Sequence, residues 1–303
     1  NCGNIGTNTV TLTVDDGNGN SATCTATVTV EDNENPTAIC QDVTVQLDGS
    51  GNASVNPSQV DNGSSDNCGT VIPTLDNTDF DCGNVGANSV TLTVNDGNGN
   101  TATCTATVTV EDNIDPTAVC QDITVELDGN GMATITPAQI DNGSSDNCPN
   151  HSLSLNITSF DCGDIGMNDV VLTITDASGN TDDCMAKVTV EDNIQPVLVC
   201  IDITVSLDGT GNAMITAANV SNSGDNCGTT TVSLSNDSFN CGNLGPNIVT
   251  VTADDGNGNT DMCDAIVTII DDIDPMALCQ DVTVVLDGTG NASITEAQID
   301  NGS

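Results

Sequence analysis

Val90, Leu92 and Val94 alternate with Ser or Thr, the residues Asp96-Gly97-Asn98-Gly99-Asn100 follow, and Ala102, Cys104, Ala106, Val108 and Val110 then alternate with Thr. A period of two on both sides of a Gly/Asn turn predicts a β-hairpin with one apolar, buried face and one polar face. Val43-Thr44-Val45-Gln46-Leu47, the turn Asp48-Gly49-Ser50-Gly51-Asn52, and Ala53-Ser54-Val55 predict a second hairpin, with Asp-Gly supplying the positive φ of a tight turn. No stretch carries a helical period. About five to seven short strands in ~80 residues, with turn signals every ~8–12, predict an all-β fold: small β-sandwiches of immunoglobulin type.

The pattern recurs along the chain. The prolines after each acidic cluster, Pro36, Pro116, Pro196 and Pro275, are spaced by 80, 80 and 79 residues, the mark of a repeat protein. Cysteines keep the same phase: Cys40, Cys68, Cys82 and Cys104, then Cys120, Cys148, Cys162 and Cys184, then Cys200, Cys227, Cys241 and Cys263. Cys2 and Cys24 match Cys82 and Cys104, and Cys279 matches Cys40, which explains the odd total of 15. The expected organisation is a partial repeat at 1–33, full repeats at 34–113, 114–193 and 194–272, and a partial repeat at 273–303. About sixteen residues separate the two partial repeats from one whole unit. Phe80, Phe160 and Phe239 share one repeat position and predict a single aromatic core plug per unit. Tandem linkage requires the first and last strands of a unit to run the same way, giving immunoglobulin-like domains in a linear rod.

Charge narrows the function. The 303 residues hold 44 Asp+Glu, one Lys and no Arg, for a formal charge of -43. Such a chain repels phosphate and anionic lipid, which excludes nucleic-acid binding and electrostatic membrane attachment. No apolar run approaches the ~20 residues of a membrane span. The opening Asn-Cys-Gly and the half repeats at both ends predict a segment of a longer chain. Fifteen cysteines among small residues predict an oxidising, extracellular setting, because thin cores need covalent staples.

Asp-Asn-x-x-Pro, x-Cys-x-Asp-(Val/Ile)-Thr-Val, Ser-Asp-Asn-Cys-Gly and Val-Thr-Leu-Thr-Val-x-Asp-x-x-Gly-Asn-Thr-Ala-Thr-Cys-Thr-Ala-Thr-Val-Thr-Val together resemble the hyalin repeat and its relatives in bacterial surface proteins, particularly those of Bacteroidetes. The likeness covers every unit. It implies an immunoglobulin-like fold and extracellular structural or adhesive roles, without catalysis. That family often carries a cysteine near its second strand, whereas here the extra one lies in Phe-Asp-Cys, so its disulfide pattern does not transfer.

Four cysteines per unit allow three pairings. If the last hairpin turns at Asn98, Cys104 lies opposite Leu92, and Cys82 is up to roughly 30 Å away at ~3.3 Å per residue. That argues against joining Cys82 to Cys104. Cys40 and Cys104 sit early in strands that run parallel. The expected bonds are Cys40–Cys104 with Cys68–Cys82, Cys120–Cys184 with Cys148–Cys162, and Cys200–Cys263 with Cys227–Cys241, each contributing ~2–4 kcal/mol. No Cys-x-x-Cys exists and His151 is the sole histidine, so zinc and dithiol redox chemistry have no ligand set.

The strand directions also bring three acidic segments to one pole: the preceding linker, the loop after the first strands, and the last hairpin turn. Around the second full repeat these are Glu111, Asp112 and Asp115, then Asp141 and Asp146, then Asp176. Around the first they are Glu31, Asp32, Asp61, Asp66 and Asp96; around the third, Glu191, Asp192, Asp225, Asp254 and Asp255; and Asp271, Asp272 and Asp274 form the last linker. One Lys cannot neutralise them. Hard carboxylate, Asn and backbone oxygens suit Ca²⁺, so interdomain calcium that stiffens each junction is expected, in a manner similar to cadherin linkers. The turn Asp48 to Asn52 falls at the other pole and reads as an ordinary turn.

Other chemistry finds little footing. A hydrolytic triad needs a base in each active unit, and His151 occurs in one loop of one unit. Paired carboxylates lack aromatic platforms for a sugar. Lys187 replaces Thr107 on an outward face, and its isolation excludes Lys–Asn isopeptide bonds. Thr101, Thr103, Thr105, Thr107 and Thr109 form an outward ladder that β-propensity explains, and Asn52, Asn62, Asn142 and Asn291 head Asn-x-Ser/Thr sequons in loops. The expected function is an extracellular or cell-surface structural rod or filament, self-associating or continuous with neighbouring repeats of the same long chain. Two alternatives stand beside it. One is a ligand- or glycan-binding adhesin with this segment as its stalk; the other is a polymer whose half repeats complete each other between subunits.

Overall fold

The computed structural model describes residues 1–303. They fall into two compact units, Asn1–Ile123 with Ile135–Thr158 and Asp169–Val188, and Thr124–Thr134 with Ser159–Asn168 and Thr189–Ser303. The 114–193 repeat is divided between them; the 34–113 repeat lies wholly in the first and the 194–272 repeat wholly in the second.

In the first unit, the strands Gly86–Asn95 and Thr101–Glu111 form the hairpin that alternation requires, and Leu92 faces Cys104. Val43–Gln46 joins the outer side of Thr101–Glu111 in parallel, Val43 against Val108, and Ile72–Leu75 pairs with Gly86–Asn95. The result is a four-stranded sheet. Its first and last strands point the same way, so the chain enters at one end of the repeat and leaves at the other.

The second hairpin requires correction. Asp48 N–H donates to the Asn52 carbonyl (2.8 Å), so the turn at 48–52 exists. Its two arms nevertheless separate: Val43–Gln46 stays in the four-stranded sheet, while Asn52–Ser54 pairs with Asp79–Asp81 in a two-stranded sheet, Ala53 against Phe80. Leu47 (4% exposed) and Val55 (1%) enter one core from the two sheets. Closing that core against two sheets satisfies more apolar surface than a flat hairpin could. A one-turn helix, Pro57–Val60, follows, with Pro57 in its first turn, the Gln59 side chain accepting the Asn56 amide, and Val60 fully buried. Four residues are too few to leave a helical period in the sequence.

The core joins Leu47, Val55, Val60, Val90, Leu92, Val94, Val108 and Val110 around Phe80. In the second unit, Leu207, Ile215, Val220, Val249, Val251, Val267 and Ile269 surround Phe239 in the same way. There the four-stranded sheet runs Ile203–Ser206, Thr260–Ile270, Gly245–Asp254 and Thr231–Leu234. Phe80, Phe160 and Phe239 are all buried, the single aromatic plugs that their shared position predicts. The polar faces carry the Thr ladder, and Lys187 forms an ion pair with Asp169. No helix is long and apolar enough to cross a membrane.

Three disulfides join strands within a repeat: Cys40–Cys104, Cys120–Cys184 and Cys200–Cys263. The expected bonds Cys68–Cys82, Cys148–Cys162 and Cys227–Cys241 do not form. Instead Cys2 bonds Cys68, Cys82 bonds Cys148 and Cys162 bonds Cys227, while Cys24, Cys241 and Cys279 are free. The reason lies in strand direction. Between Cys68 and Cys82 the strands Ile72–Leu75 and Asp79–Asp81 carry the chain from one end of the repeat to the other, so these cysteines lie at opposite ends. Each meets instead the cysteine presented by the adjoining repeat.

Candidate metal centre

Cys82 opens the short 3-10 turn Cys82–Asn84, capped by Asp81, whose Oδ1 accepts the Gly83 amide (2.9 Å). The turn lies against Gly51, which has φ +74°; a Cβ there would stand 2.6 Å from Cys82 Sγ and 2.8 Å from the Asn147 carbonyl oxygen. Only glycine fits the backbone angle and the space. In the second unit Gly131 repeats the arrangement, with φ +72° and a Cβ that would reach 2.5 Å from Cys162 Sγ. The turn at 48–52, read from sequence as ordinary, is therefore part of the seam with the following repeat. Asn147 Nδ2 donates to the Asp48 carbonyl (3.3 Å), as Asn226 Nδ2 does to the Asp128 carbonyl (3.3 Å).

Beside each such seam the acidic segments meet. Carboxylate oxygens of Asp32, Asp66 and Asp96 lie within 4.8 Å of one another, and so do those of Asp192, Asp225 and Asp255. At the middle seam the corresponding group is Asp112 and Asp146 with Cys148 Sγ. Asp176 stands beside it, held through Asn180, whose Nδ2 bonds both Asp176 Oδ2 (2.8 Å) and the Asp112 carbonyl (3.1 Å). Asp96, Asp112, Asp176, Asp192 and Asp255 are buried.

Local hydrogen bonding fixes these side chains. Asp255 Oδ1 accepts the amides of Asn257, Gly258 and Asn259, and its Oδ2 accepts Asn259 Nδ2 (2.7 Å). Asn259 Nδ2 also reaches the Asp192 carbonyl (2.9 Å), and Asn257 Nδ2 reaches Asp192 Oδ2 (3.2 Å), tying turn to linker. At the first seam Asn98 and Asn100 hold Asp32 likewise. Burial pushes the Asp96 and Asp255 carboxyls up, but the side-chain amides of Asn100 and Asn259 and the turn N–H groups outweigh it and hold both below the usual carboxylate range.

At least one buried oxygen at each seam has no donor. Asp66 Oδ2, Asp146 Oδ2 and Asp225 Oδ2 accept the amides of Cys68, Cys148 and Cys227, whereas Oδ1 of all three is buried without a hydrogen-bond partner. Asn147 Oδ1 and Asn226 Oδ1 are buried and unpartnered too. Buried oxygens are ordinarily satisfied, and here the same positions recur as orphans. At the third seam two carboxylates, an orphaned carboxylate oxygen and a neutral amide oxygen provide a hard, oxygen-rich donor set that fits Ca²⁺; the first seam has the three carboxylates without the orphaned amide.

The remaining acidic residues named from sequence stand apart from these clusters. Asp61 Oδ1 and Asp141 Oδ1 accept the Ser64 and Ser144 amides and close their loops; hydrogen bonds from the Ser144 hydroxyl and amide hold Asp141 below the usual range. Glu111 and Glu191 accept Asn113 and Asn193, Asp254 accepts the Gly256 amide, and Asp272 accepts the Ser206 hydroxyl. Glu31, Asp115, Asp271 and Asp274 are exposed. Sequence reasoning counted Asn oxygens among the ligands but assigned none of the asparagines to a seam. Their signal was present: Asn precedes the cysteine at 67, 147 and 226, and Asn closes the hairpin turn at 100, 180 and 259.

No protein-family model matches the chain, and no curated protein matches it. The hyalin-repeat resemblance therefore has no support beyond the quoted motifs. Among solved structures, the chain is similar to extracellular cadherin domains 1–4 of protocadherin gamma-B7, at 13% identity and TM-score 0.31, covering 88% of this chain and 84% of that one. It is similar to the EC22–24 segment of mouse cadherin-23, at 14% and 0.31, covering 78% and 99%. It is also similar to a three-immunoglobulin-domain fragment of titin, at 11% and 0.30, covering 78% and 98%.

Proposed function

We propose that this chain is part of an extracellular structural or adhesive rod, with 34–113, 114–193 and 194–272 as its domains and Ca²⁺ stiffening the seams between them. The observation that carries the reading is the recurring orphan: Asp66, Asp146 and Asp225 each bury an oxygen with no donor, among carboxylates that one Lys cannot neutralise. A divalent cation supplies the missing partner and removes the mutual repulsion. The six disulfides support an oxidising location, and the hyalin-repeat resemblance favours display on a bacterial surface. The ions would be held by Asp32, Asp66 and Asp96, by Asp112, Asp146, Asn147 and Asp176, and by Asp192, Asp225, Asn226 and Asp255.

Calorimetric titration of the full chain with CaCl2 tests this. The expected result is saturable binding of about three ions with Kd at or below ~1 mM, the range of extracellular calcium modules. Absence of heat and of any thermal shift at several millimolar Ca²⁺ would reject the reading.

A further inference from the structure

The two kinds of disulfide interlock. Cys40–Cys104, Cys120–Cys184 and Cys200–Cys263 each close a loop within a repeat and leave the connections 104–120 and 184–200 open. Cys82–Cys148 and Cys162–Cys227 span those connections, and Cys2–Cys68 covers the chain ahead of Cys40. Every peptide bond from Cys2 to Cys263 thereby lies inside at least one disulfide loop. We propose that this arrangement makes the chain a covalent ladder that survives any single backbone scission in that span and carries tension on two rails.

The rails can be traced residue by residue. One passes through the seam bonds: Cys68 to Cys82 along the backbone, across to Cys148, along to Cys162, and across to Cys227. The other passes through the strand bonds: Cys104 to Cys120 along the backbone, across to Cys184, along to Cys200, and across to Cys263. The backbone segments 40–68, 82–104 and their repeats are the rungs. The first rail uses fourteen backbone steps per repeat and the second sixteen, so their taut lengths nearly match. At up to ~3.6 Å per step, plus the 5.5 Å between the Cα atoms of Cys82 and Cys148, a repeat pulled to its covalent limit reaches roughly 55 Å. Without disulfides its 80 residues would reach roughly 290 Å. Unfolding under load releases little length, and a cut rail leaves a second. None of this depends on whether the seams hold cations.

The composition provides a clean test. Lys187 is the sole basic residue for trypsin, and its peptide bond lies between Cys184 and Cys200, bridged by Cys162–Cys227 alone. The full chain is treated with iodoacetamide to block Cys24, Cys241 and Cys279, unfolded in urea without reductant, and digested until a reduced aliquot shows complete conversion to residues 1–187 and 188–303. The unreduced sample is expected to remain one species, heavier than the starting chain by one water. The C162S/C227S double variant is expected to fall into two fragments without reductant. Separation of the wild-type halves before reduction would overturn the proposal, as would cohesion of the double variant. In single-molecule pulling, each oxidised repeat is expected to add no more than a few tens of ångströms, and its taut length is expected to rise about fivefold in reductant; long release steps from the oxidised chain would refute the second rail.

Discussion

Asp225→Asn separates cation binding from every other role of the third seam. Its carboxylate lies within 4.8 Å of those of Asp192 and Asp255. Two like charges at that distance repel by ~0.9 kcal/mol at the dielectric of water and ~3.5 kcal/mol at an effective value near 20. Removing the Asp225 charge abolishes two of the three pairwise repulsions. Charge spread over each carboxylate and partial solvation favour the lower figure, about 2 kcal/mol in total. The substituted amide keeps the shape: its oxygen can still accept the Cys227 amide, as Asp225 Oδ2 does at 2.8 Å, and its NH2 then faces the two remaining carboxylates in place of the orphaned Oδ1. The variant is therefore expected to be more stable than wild type in chelator and less stable in calcium. With ~4–8 °C per kcal/mol for a domain of this size, the rise in EDTA should approach 10 °C. Scanning calorimetry of both proteins, in EDTA and in 5 mM CaCl2, on the oxidised chain reads this directly. A variant less stable than wild type in EDTA would refute the electrostatic account. A calcium-induced shift equal to that of wild type would show that Asp225 does not hold the ion.

Gly131→Ala forces a β-carbon into the left-handed region and against Cys162 Sγ, so it should cost more than ~1 kcal/mol and lower the yield of the Cys162–Cys227 peptide in non-reduced mass mapping; Gly129→Ala, with open space and no positive φ, is its neutral control. Phe160→Ala empties the plug position and should cost ~3–5 kcal/mol by urea denaturation. The depressed carboxyls of Asp96 and Asp255 contribute stability that is fully present above their ordinary value of 3.8 and is lost as pH falls through the lower folded-state value. Acid melts in EDTA should therefore retain the turns to about pH 4 and lose protection of the Asn98–Asn100 amides only below it, as read by hydrogen exchange; loss beginning near pH 5 would contradict the assignment.

The parts of the fold that rest on local periodicity were legible in the sequence. Alternation through 90–94 and 102–110 with the turn at 96–100 gives the register that sets Leu92 against Cys104, because a period of two leaves one buried choice. Parallel first and last strands followed from tandem linkage, and with them the bonds between Cys40 and Cys104 and its counterparts. The arm at 53–55 was not legible. An Asp-Gly turn records that the chain reverses, not which neighbour the next strand takes, and Asn52–Ser54 takes the strand that carries Phe80, the two forming the small sheet that faces the four-stranded one across the core.

The seam cysteines fail for a different reason, and the failure is instructive. Counting pairings only within a unit left Cys82 to Cys68 once Cys40 was given to Cys104, yet the fourteen steps of chain between them include two strands and traverse the repeat from end to end. The same counting of ends that gathered the linker, loop and turn carboxylates would have placed Cys82 beside Gly51 at the exit and Cys68 at the entry. Consistent use of that count leaves no intra-repeat partner for either. It also places the Ser-Asp-Asn-Cys segment at once in the disulfide and in the acidic cluster, since Asp146, Asn147 and Cys148 are consecutive. A loop held by a covalent bond at one residue and offering orphaned oxygens at the two before it has little freedom to relax away from the linker carboxylate. Repulsion there persists in the folded chain until something of opposite charge arrives.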